Sequence, residues 1–332
     1  MRSIYICDNY NHLLISIIKT FQNKEEANDV LICNNWENDN LLNDKKIISN
    51  IKKSGVFSNV IVFDEYYEEE KEILKSRFKL LKKLIHINKM NKKYKDYFKK
   101  YDEIYMFYDV TNIGKILNIN KIRYNLLEDG TDCYKNNKNV IDVKLDLKNK
   151  IKKHILGYPV KLADSKYIKS IEVNDKKDLF ISHKNIIESP KIKMYDSLNE
   201  KQKKIIMNIF LDNNSSFKNI SGCSLIITQP LYIDKYLDSE EEQVKLYESI
   251  INDYCKGDKI VIKTHPRENT DYSSIKGDYI ILTRNFPLEV FNFMDDLQFN
   301  KAITISSTSL SLIKNCKEKI MLGWDYIEKN RK

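Results

Sequence analysis

Short apolar runs alternate with helical segments in two separate blocks of this chain, and no other feature restricts its fold as strongly. In the first block "SIYIC" (Ser3 to Cys7), "DVLICN" and "NVIVFD" read as buried strands. "EIYMFYD" (Glu103 to Asp109) and "IRYNLLEDG" (Ile122 to Gly130) continue the series, and "HLLISIIKTF" has helical apolar spacing. Such runs alternating with helices imply βαβ units and a parallel sheet. The second block repeats the pattern: "CSLIITQPL", "DKIVIKTH", "DYIILTR", "KAITISS" and "KIMLGWD" as strands, with "SEEEQVKLYESIINDYC", "PLEVFNFM" and "SLSLIKN" as helices. Ser239 is placed to cap the first of these helices, with Glu240 to Glu242 favourable in its first turn. A less regular stretch, about 139–217, lies between the blocks and contains the amphipathic segment "NEKQKKIIMNIFL". The pattern predicts two Rossmann-like α/β domains, 1–215 and 216–332, with "NNSSFKNISG" as the linker.

Composition agrees with two packed cores. The 332 residues are 42% hydrophobic, with 21 Tyr and 13 Phe but only 8 Gly and 5 Pro, so the chain is neither disordered nor loop-rich. The net charge of +9 is local: Lys71 to Lys100 holds twelve Lys plus Arg against two acidic residues, which leaves the remainder near neutrality. That distribution argues against a general nucleic-acid binder. The six cysteines (Cys7, Cys33, Cys133, Cys223, Cys255, Cys316) form no C-x-x-C pair and read as reduced, mostly buried thiols rather than a zinc site. "MRSIYICDNYNH" lacks a signal-peptide core, and no apolar run approaches the roughly 18 residues of a membrane span. The expected location is the cytoplasm.

Three strand ends carry candidate chemistry. "YNLLEDGTDCY" (Tyr124 to Tyr134) runs an apolar strand into Glu128, Asp129 and Gly130. Adjacent strand carboxylates point to opposite faces, so one of the two faces a given cleft and can serve as a general base. The bland alternative is a polar turn. "DKIVIKTHPREN" ends a β-branched strand in Lys263, Thr264, His265, Pro266 and Arg267. The cations can bind an anion, His265 can donate to a departing phosphate, and Pro266 ends the strand. "TISSTSLSLI" brings Ser306 and Ser307 to a helix start, either an anion cradle or an ordinary cap. Open α/β sheets bind ligands at this end of their strands.

"LLEDGTDCY", "IKTHPRE" and "ISSTSLSLI", in that order, resemble the (D/E)(D/E)G, HP and SS motifs of bacterial sialyltransferases, most closely glycosyltransferase family 52. "ICDNYNHLLIS" and "LIITQPL" are similar to that family as well, so the resemblance spans nearly the whole chain. It implies a GT-B architecture, with the two domains facing a central cleft. It also implies an inverting, metal-independent enzyme with no cofactor, using CMP-sialic acid as donor and a galactose-ended lipooligosaccharide or capsule glycan as acceptor. The Glu128–Asp129 pair would supply the base, with Asp234 and Asp238 as rivals. His265 would assist departure of CMP. Ser306 and Ser307 would bind its phosphate, flanked by Lys263, Thr264, Pro266 and Arg267. Gln229 and the "RNFPLE" loop, including Asn285 and Phe286, would lie near the nucleotide. Family members often dimerise. Two alternatives stay open: another nucleotide sugar, or a protein that binds glycan or nucleotide without catalysis.

The basic segment Lys71 to Lys100 is helical in composition, with a stripe of Ile73, Leu74, Phe78, Leu81, Leu84, Ile85 and Asn88. One reading packs that stripe on the sheet. The other presents it to anionic lipid as a peripheral contact on the inner face of the membrane.

Overall fold

The computed structural model describes residues 1–23, 27–33, 41–63, 78–130, 133–134, 159, 161–211, 217, 219–277, 279–282 and 286–330. It comprises two compact units, Met1–Leu198 and Asn199–Lys332.

The first unit holds strands β1 (Arg2–Cys7), β2 (Ala27–Cys33), β3 (Asn59–Phe63), β4 (Glu103–Met106), β5 (Tyr124–Leu127), β6 (Ile168–Val173) and β7 (Ile186–Glu188). They form one parallel sheet in the order β3-β2-β1-β4-β5-β6-β7. The helices are α1 (Tyr10–Gln22), α2 (Lys45–Ser54), α3 (Lys79–Phe98), α4 (Asn112–Ile119) and α5 (Lys191–Asp196). Polar side chains start three of them: Asn9, Asp44 and Thr111 each accept the backbone N–H three residues on. Gly114 is required at its place, since a Cβ there would lie 1.9 Å from the Asp109 carbonyl oxygen. This lets α4 start tight against the end of β4.

Strands β6 and β7 lie inside the stretch that the sequence pattern left irregular. "IKSIEV" interrupts its apolar residues with Lys169, Ser170 and Glu172, and β7 has only three residues. Pairing holds them in place, β6 against β5 and β7 against β6. The basic helix also differs from expectation. Residues 71–77, which include Ile73 and Leu74 of the expected stripe, lie outside the described residues. Among the described side chains of α3, His86, Ile87, Met90 and Phe98 are buried, while Leu81 and Ile85, and Phe78 just before the helix, are exposed. Met90, Phe98 and Tyr101, with Tyr94 and Tyr97 partly buried beside them, pack on the strand core. The face that carries aromatic bulk therefore turns inward, and the aliphatic stripe does not.

The second unit begins with α6 (Glu200–Phe210), capped by a reciprocal Asn199–Gln202 box. Its strands β8 (Ser224–Ile227), β9 (Ile260–Lys263), β10 (Tyr279–Leu282), β11 (Phe299–Thr304) and β12 (Cys316–Met321) form a parallel sheet in the order β10-β9-β8-β11-β12. The helices are α7 (Glu240–Tyr254), α8 (Ser309–Leu312) and α9 (Asp325–Asn330), with a 3-10 turn at Leu288–Phe293. Ser239 caps α7 as expected. Helix α6 contacts the 3-10 turn. For that reason the unit boundary falls at Leu198, before α6, and not at the 213–222 linker.

Both sheets reverse strand order once. The switch lies between β1 and β4 in the first unit and between β8 and β11 in the second. Crevices at such points are where doubly wound sheets bind ligands.

Candidate active site

In the first unit β5 delivers Glu128 and Asp129 to different surroundings, as strand alternation requires. Glu128 is buried and fully engaged. Its Oε1 accepts from Lys191 Nζ at 2.8 Å, and its Oε2 accepts from the Asn174 N–H at 2.6 Å and from the Tyr134 hydroxyl. Lys191 heads α5, so this ion pair ties the end of β5 to the segment after β7. A small pocket borders it, lined by Lys19, Phe107, Glu172 and Met194 among others, with Lys19 and Glu172 ion-paired at 2.6 Å.

Asp129 turns the other way, next to Gly130 in the left-handed region at φ +53°. Its side chain is 27% exposed, and its Oδ1 lies 3.0 Å from His12 Nε2. His12 is in the first turn of α1, 1% exposed, and its Nδ1 lies 2.5 Å from Asp8 Oδ1 at the end of β1. The imidazole stacks on Phe107, just past β4, at 3.9 Å between ring centroids and 6° between planes. Burial alone would lower the pKa of His12, but Asp8 and Asp129 outweigh it and raise it to about 10. The result is a buried imidazolium between two carboxylates, beside the β1/β4 switch.

In the second unit His265 to Glu268 form a turn just past β9. The Glu268 N–H donates to the His265 carbonyl at 3.2 Å, with Pro266 at the second position, where its fixed φ suits a turn. Glu268 folds back beneath this turn, 2% exposed. Its carboxylate accepts from the His265 N–H at 2.8 Å, from Gln243 Nε2 at 2.8 Å, from the Tyr272 hydroxyl at 3.2 Å and from the Thr228 hydroxyl. Burial pushes Glu268 up to about 7 against those hydrogen bonds. The Arg267 N–H donates to His265 Nδ1 at 3.1 Å. The ring proton therefore sits on Nε2, which leaves an N–H donor there. Burial, then the nearby cations Arg267 and Lys263, push His265 down to about 3, so this imidazole is neutral at pH 7.

The two flanking cations are less available than the sequence suggested. Arg267 makes a two-pronged pair with Asp234, both bonds 2.8 Å. Asp234, a rival base by sequence, is thus half of an ion pair. Lys263 is 4% exposed, lies 4.5 Å from the Phe286 ring centroid and donates to the Thr264 carbonyl at 3.0 Å. Burial pushes it down to about 7, with Glu268 and Glu289 pulling the other way. Thr264 is half-buried and bonds the Leu282 carbonyl. Phe286 packs in an aromatic cluster with Phe217 and Phe291. Asn285 lies outside the described residues.

Gln229 and Ser306 meet across the β8/β11 switch: the Ser306 N–H donates to Gln229 Oε1 at 2.8 Å. Gln229 is itself held by the Tyr247 hydroxyl, which lies 2.7 Å from its N–H. The helix expected after Ser306–Ser307 is a single turn, α8, and Thr308 at its N-cap makes no side-chain capping bond. Ser309 bonds Glu289 at 3.0 Å instead. The second unit therefore gathers Gln229, His265 and Ser306 at the ends of three adjacent strands.

Sequence reasoning missed His12, Asp8, Lys191 and Glu268. His12 and Glu268 stand inside the quoted "DNYNH" and "HPRE", but only their partners in space give them meaning.

An uncharacterized protein of Haemophilus influenzae is 31% identical over 196 residues, covering 58% of this chain. The match spans 60% of that protein's length. Among solved structures, the GT-B domain of a Photobacterium damselae sialyltransferase superposes with a TM-score of 0.52 at 12% identity, over 97% of this chain and 90% of that one. A UDP-GlcNAc 2-epimerase of Methanocaldococcus jannaschii gives 0.53 at 12% identity, over 100% and 92%. The Neisseria meningitidis UDP-GlcNAc 2-epimerase gives 0.52 at 12%, over 93% and 79%. These likenesses place the two parallel-sheet units in the GT-B fold. The model of glycosyltransferase family 52 matches residues 24–322, through both units, and the chain belongs to that family.

Proposed function

We propose that this protein transfers sialic acid from CMP-sialic acid to a galactose-ended cell-surface glycan, with inversion and without a metal ion. Of the two carboxylates after β5, Asp129 is the base. The observation that carries this reading is the division of labour between them: Glu128 has both oxygens engaged, whereas Asp129 is held by one oxygen and partly exposed. In the transfer, the acceptor hydroxyl oxygen bonds to the anomeric carbon and its proton passes to Asp129. The bond from that carbon to the phosphate oxygen breaks, and its electron pair leaves with CMP. His265 donates from Nε2–H to the departing phosphate. Burial, then Arg267 and Lys263, keep this ring neutral, so its part is a hydrogen bond from Nε2–H that stabilises the departing phosphate. Ser306, Ser307 and Gln229 hold the phosphate and nucleotide. One base and one phosphate-binding set suffice for a donor that departs with an oxocarbenium-like centre beside its own carboxylate.

CMP release from CMP-sialic acid with a lactose-type acceptor tests the reaction. A thermal-shift panel of CMP, UDP and GDP tests the donor, since a hundredfold excess over Kd stabilises by about 2.7 kcal/mol. Preference for UDP over CMP would favour a second reading, another nucleotide sugar, to which the UDP-GlcNAc-bound structural relatives lend support.

The acceptor side also favours contact with an anionic membrane. Among the described residues no helix is long and apolar enough to cross a bilayer. Leu81 and Ile85 of α3 are nevertheless 57% and 60% exposed, in a helix rich in lysine. Flotation with anionic vesicles at low salt, and none with neutral ones, is the expected result.

A further inference from the structure

We propose that His12, held by Asp8, is a positioning residue for the base: an ionised hydrogen-bond donor that locks the Asp129 carboxylate through Oδ1 and leaves Oδ2 for the acceptor hydroxyl. This rests on the reading of Asp129 as the base. It is argued from geometry that a packing role does not need.

Three elements converge on this array. Asp8 ends β1, His12 sits in the first turn of α1, and Asp129 follows β5, 117 residues away in sequence. The Asn9 side chain accepts the His12 backbone N–H at 2.9 Å, so the helix cap fixes where the imidazole begins. The Phe107 ring, stacked at 3.9 Å, fixes its plane. With the plane set, Nδ1 lies 2.5 Å from Asp8 Oδ1 and Nε2 lies 3.0 Å from Asp129 Oδ1. The charged groups that face the ring are those two carboxylates. From the β4 side the neighbour is the uncharged Phe107, and from the cap it is Asn9, whose side-chain nitrogen lies 3.1 Å from Nε2 and donates to Asp8 Oδ1 at 3.1 Å.

Electrostatics explains why two carboxylates are needed. An imidazole 1% exposed would normally be neutral, because burial disfavours its charged form. A neutral ring that donates to Asp8 through Nδ1 has only a lone pair on Nε2, which would repel the Asp129 carboxylate. Asp8 therefore does more than orient: its charge keeps both ring nitrogens protonated, so that Nε2 can donate to Asp129. An exposed aspartate samples several rotamers, and a base off its productive geometry by about 1 Å loses on the order of a hundredfold. A charge-assisted donor is roughly twice as strong as a neutral one. Among the described residues the contact is made to Oδ1 alone.

Two experiments test this, one of them independent of catalysis. In protein labelled at histidine, NMR should show His12 still protonated at pH 8, and both Asp8→Asn and Asp129→Asn should lower its titration midpoint by at least one pH unit. An unchanged midpoint in Asp129→Asn would mean that the array is not coupled, and the inference fails whatever the enzyme does. The second experiment compares His12→Leu with His12→Gln under CMP-sialic acid turnover, at matched folded fraction. Loss of the donor in His12→Leu should lower kcat about a hundredfold with donor KM within twofold of wild type, and His12→Gln should recover at least tenfold of that loss. Equal falls in both variants, or a fall in KM affinity alone, would reduce His12 to packing. Wild-type protein inactive with CMP-sialic acid counts against the proposed reaction, and the NMR midpoints then decide the array by themselves.

Discussion

Two histidines in this chain, one buried and one half-buried, carry opposite charge states. His12 in the first unit lies between Asp8 and Asp129 and is raised to about 10; His265 in the second lies near Arg267 and Lys263 and is pushed down to about 3. Burial opposes the charged form in both. What differs is the sign of the neighbours, and with it the job each ring can do. An imidazolium can orient a carboxylate that takes a proton. A neutral imidazole with Nδ1 occupied by the Arg267 N–H presents a single Nε2–H donor to an anion. The contrast follows from which residues stand at the strand ends, carboxylates after β1 and β5, cations after β9.

The largest expected effect falls on His265. His265→Ala should lower CMP release by about 10²–10⁴-fold with the folded fraction unchanged, the range for general acid–base groups. Turnover within tenfold of wild type would break the comparison, since the neutral ring would then have no role. Next come the two carboxylates. Asp129→Asn should lower transfer by up to the same factor, with a stability loss at pH 7 of only about 1.4 kcal/mol for each pH unit by which the His12 midpoint falls. Glu128→Gln should do the reverse in part, because it leaves Lys191 as an unpaired buried cation, at a cost of about 3–5 kcal/mol. Thermal melts beside turnover separate the two. Equal loss of activity at unchanged melting temperature in Glu128→Gln would reopen the choice of base.

A smaller effect is expected at Glu268, which holds the His265 turn from beneath. Glu268→Gln keeps one acceptor for the His265 N–H and should lower kcat roughly tenfold, about the loss of one charged hydrogen bond. The finest test is pH. His12, raised from 6.5 to about 10, stabilises the fold fully below pH 6.5, and this contribution is lost as pH rises through 10. The stability gap between wild type and His12→Gln should therefore shrink from pH 7 to pH 10. His265 runs the other way. Its folded pKa is depressed from 6.5, so its contribution is present above pH 6.5 and lost as pH falls towards 3. Wild type should lose ground to His265→Gln on acidification. Denaturant midpoints of the three proteins at pH 5, 7 and 9.5 check both signs.

Much of this frame was legible from local pattern. The apolar runs before Asp129, His265 and Ser306 are true strands, and these residues do stand just past the ends of β5, β9 and β11. The family resemblance, carried by three short motifs, agrees with the family match over residues 24–322. What the local pattern did not convey has physical causes. Lys263 and Arg267 look like free cations in a list of residues, yet one lies over Phe286 and the other is forked to Asp234, both through side chains outside the motif. Helix α3 offers two apolar faces, and its sequence alone does not tell that Met90 and Phe98, and not Leu81 and Ile85, meet the sheet. Strands β6 and β7 are too polar or too short to announce themselves before they pair.

The sequence by itself determined the α/β class, the two-block organisation and the strand ends that hold the candidate residues, because period and apolar patterning act within a few residues. Tertiary structure decided which carboxylate is engaged and which is presented. Glu128 meets Lys191 63 residues later, and Asp129 meets His12 117 residues earlier. Charge states inside the two units were decided the same way: a buried side chain takes its proton affinity from whatever the fold packs against it, and those neighbours are distant in the chain.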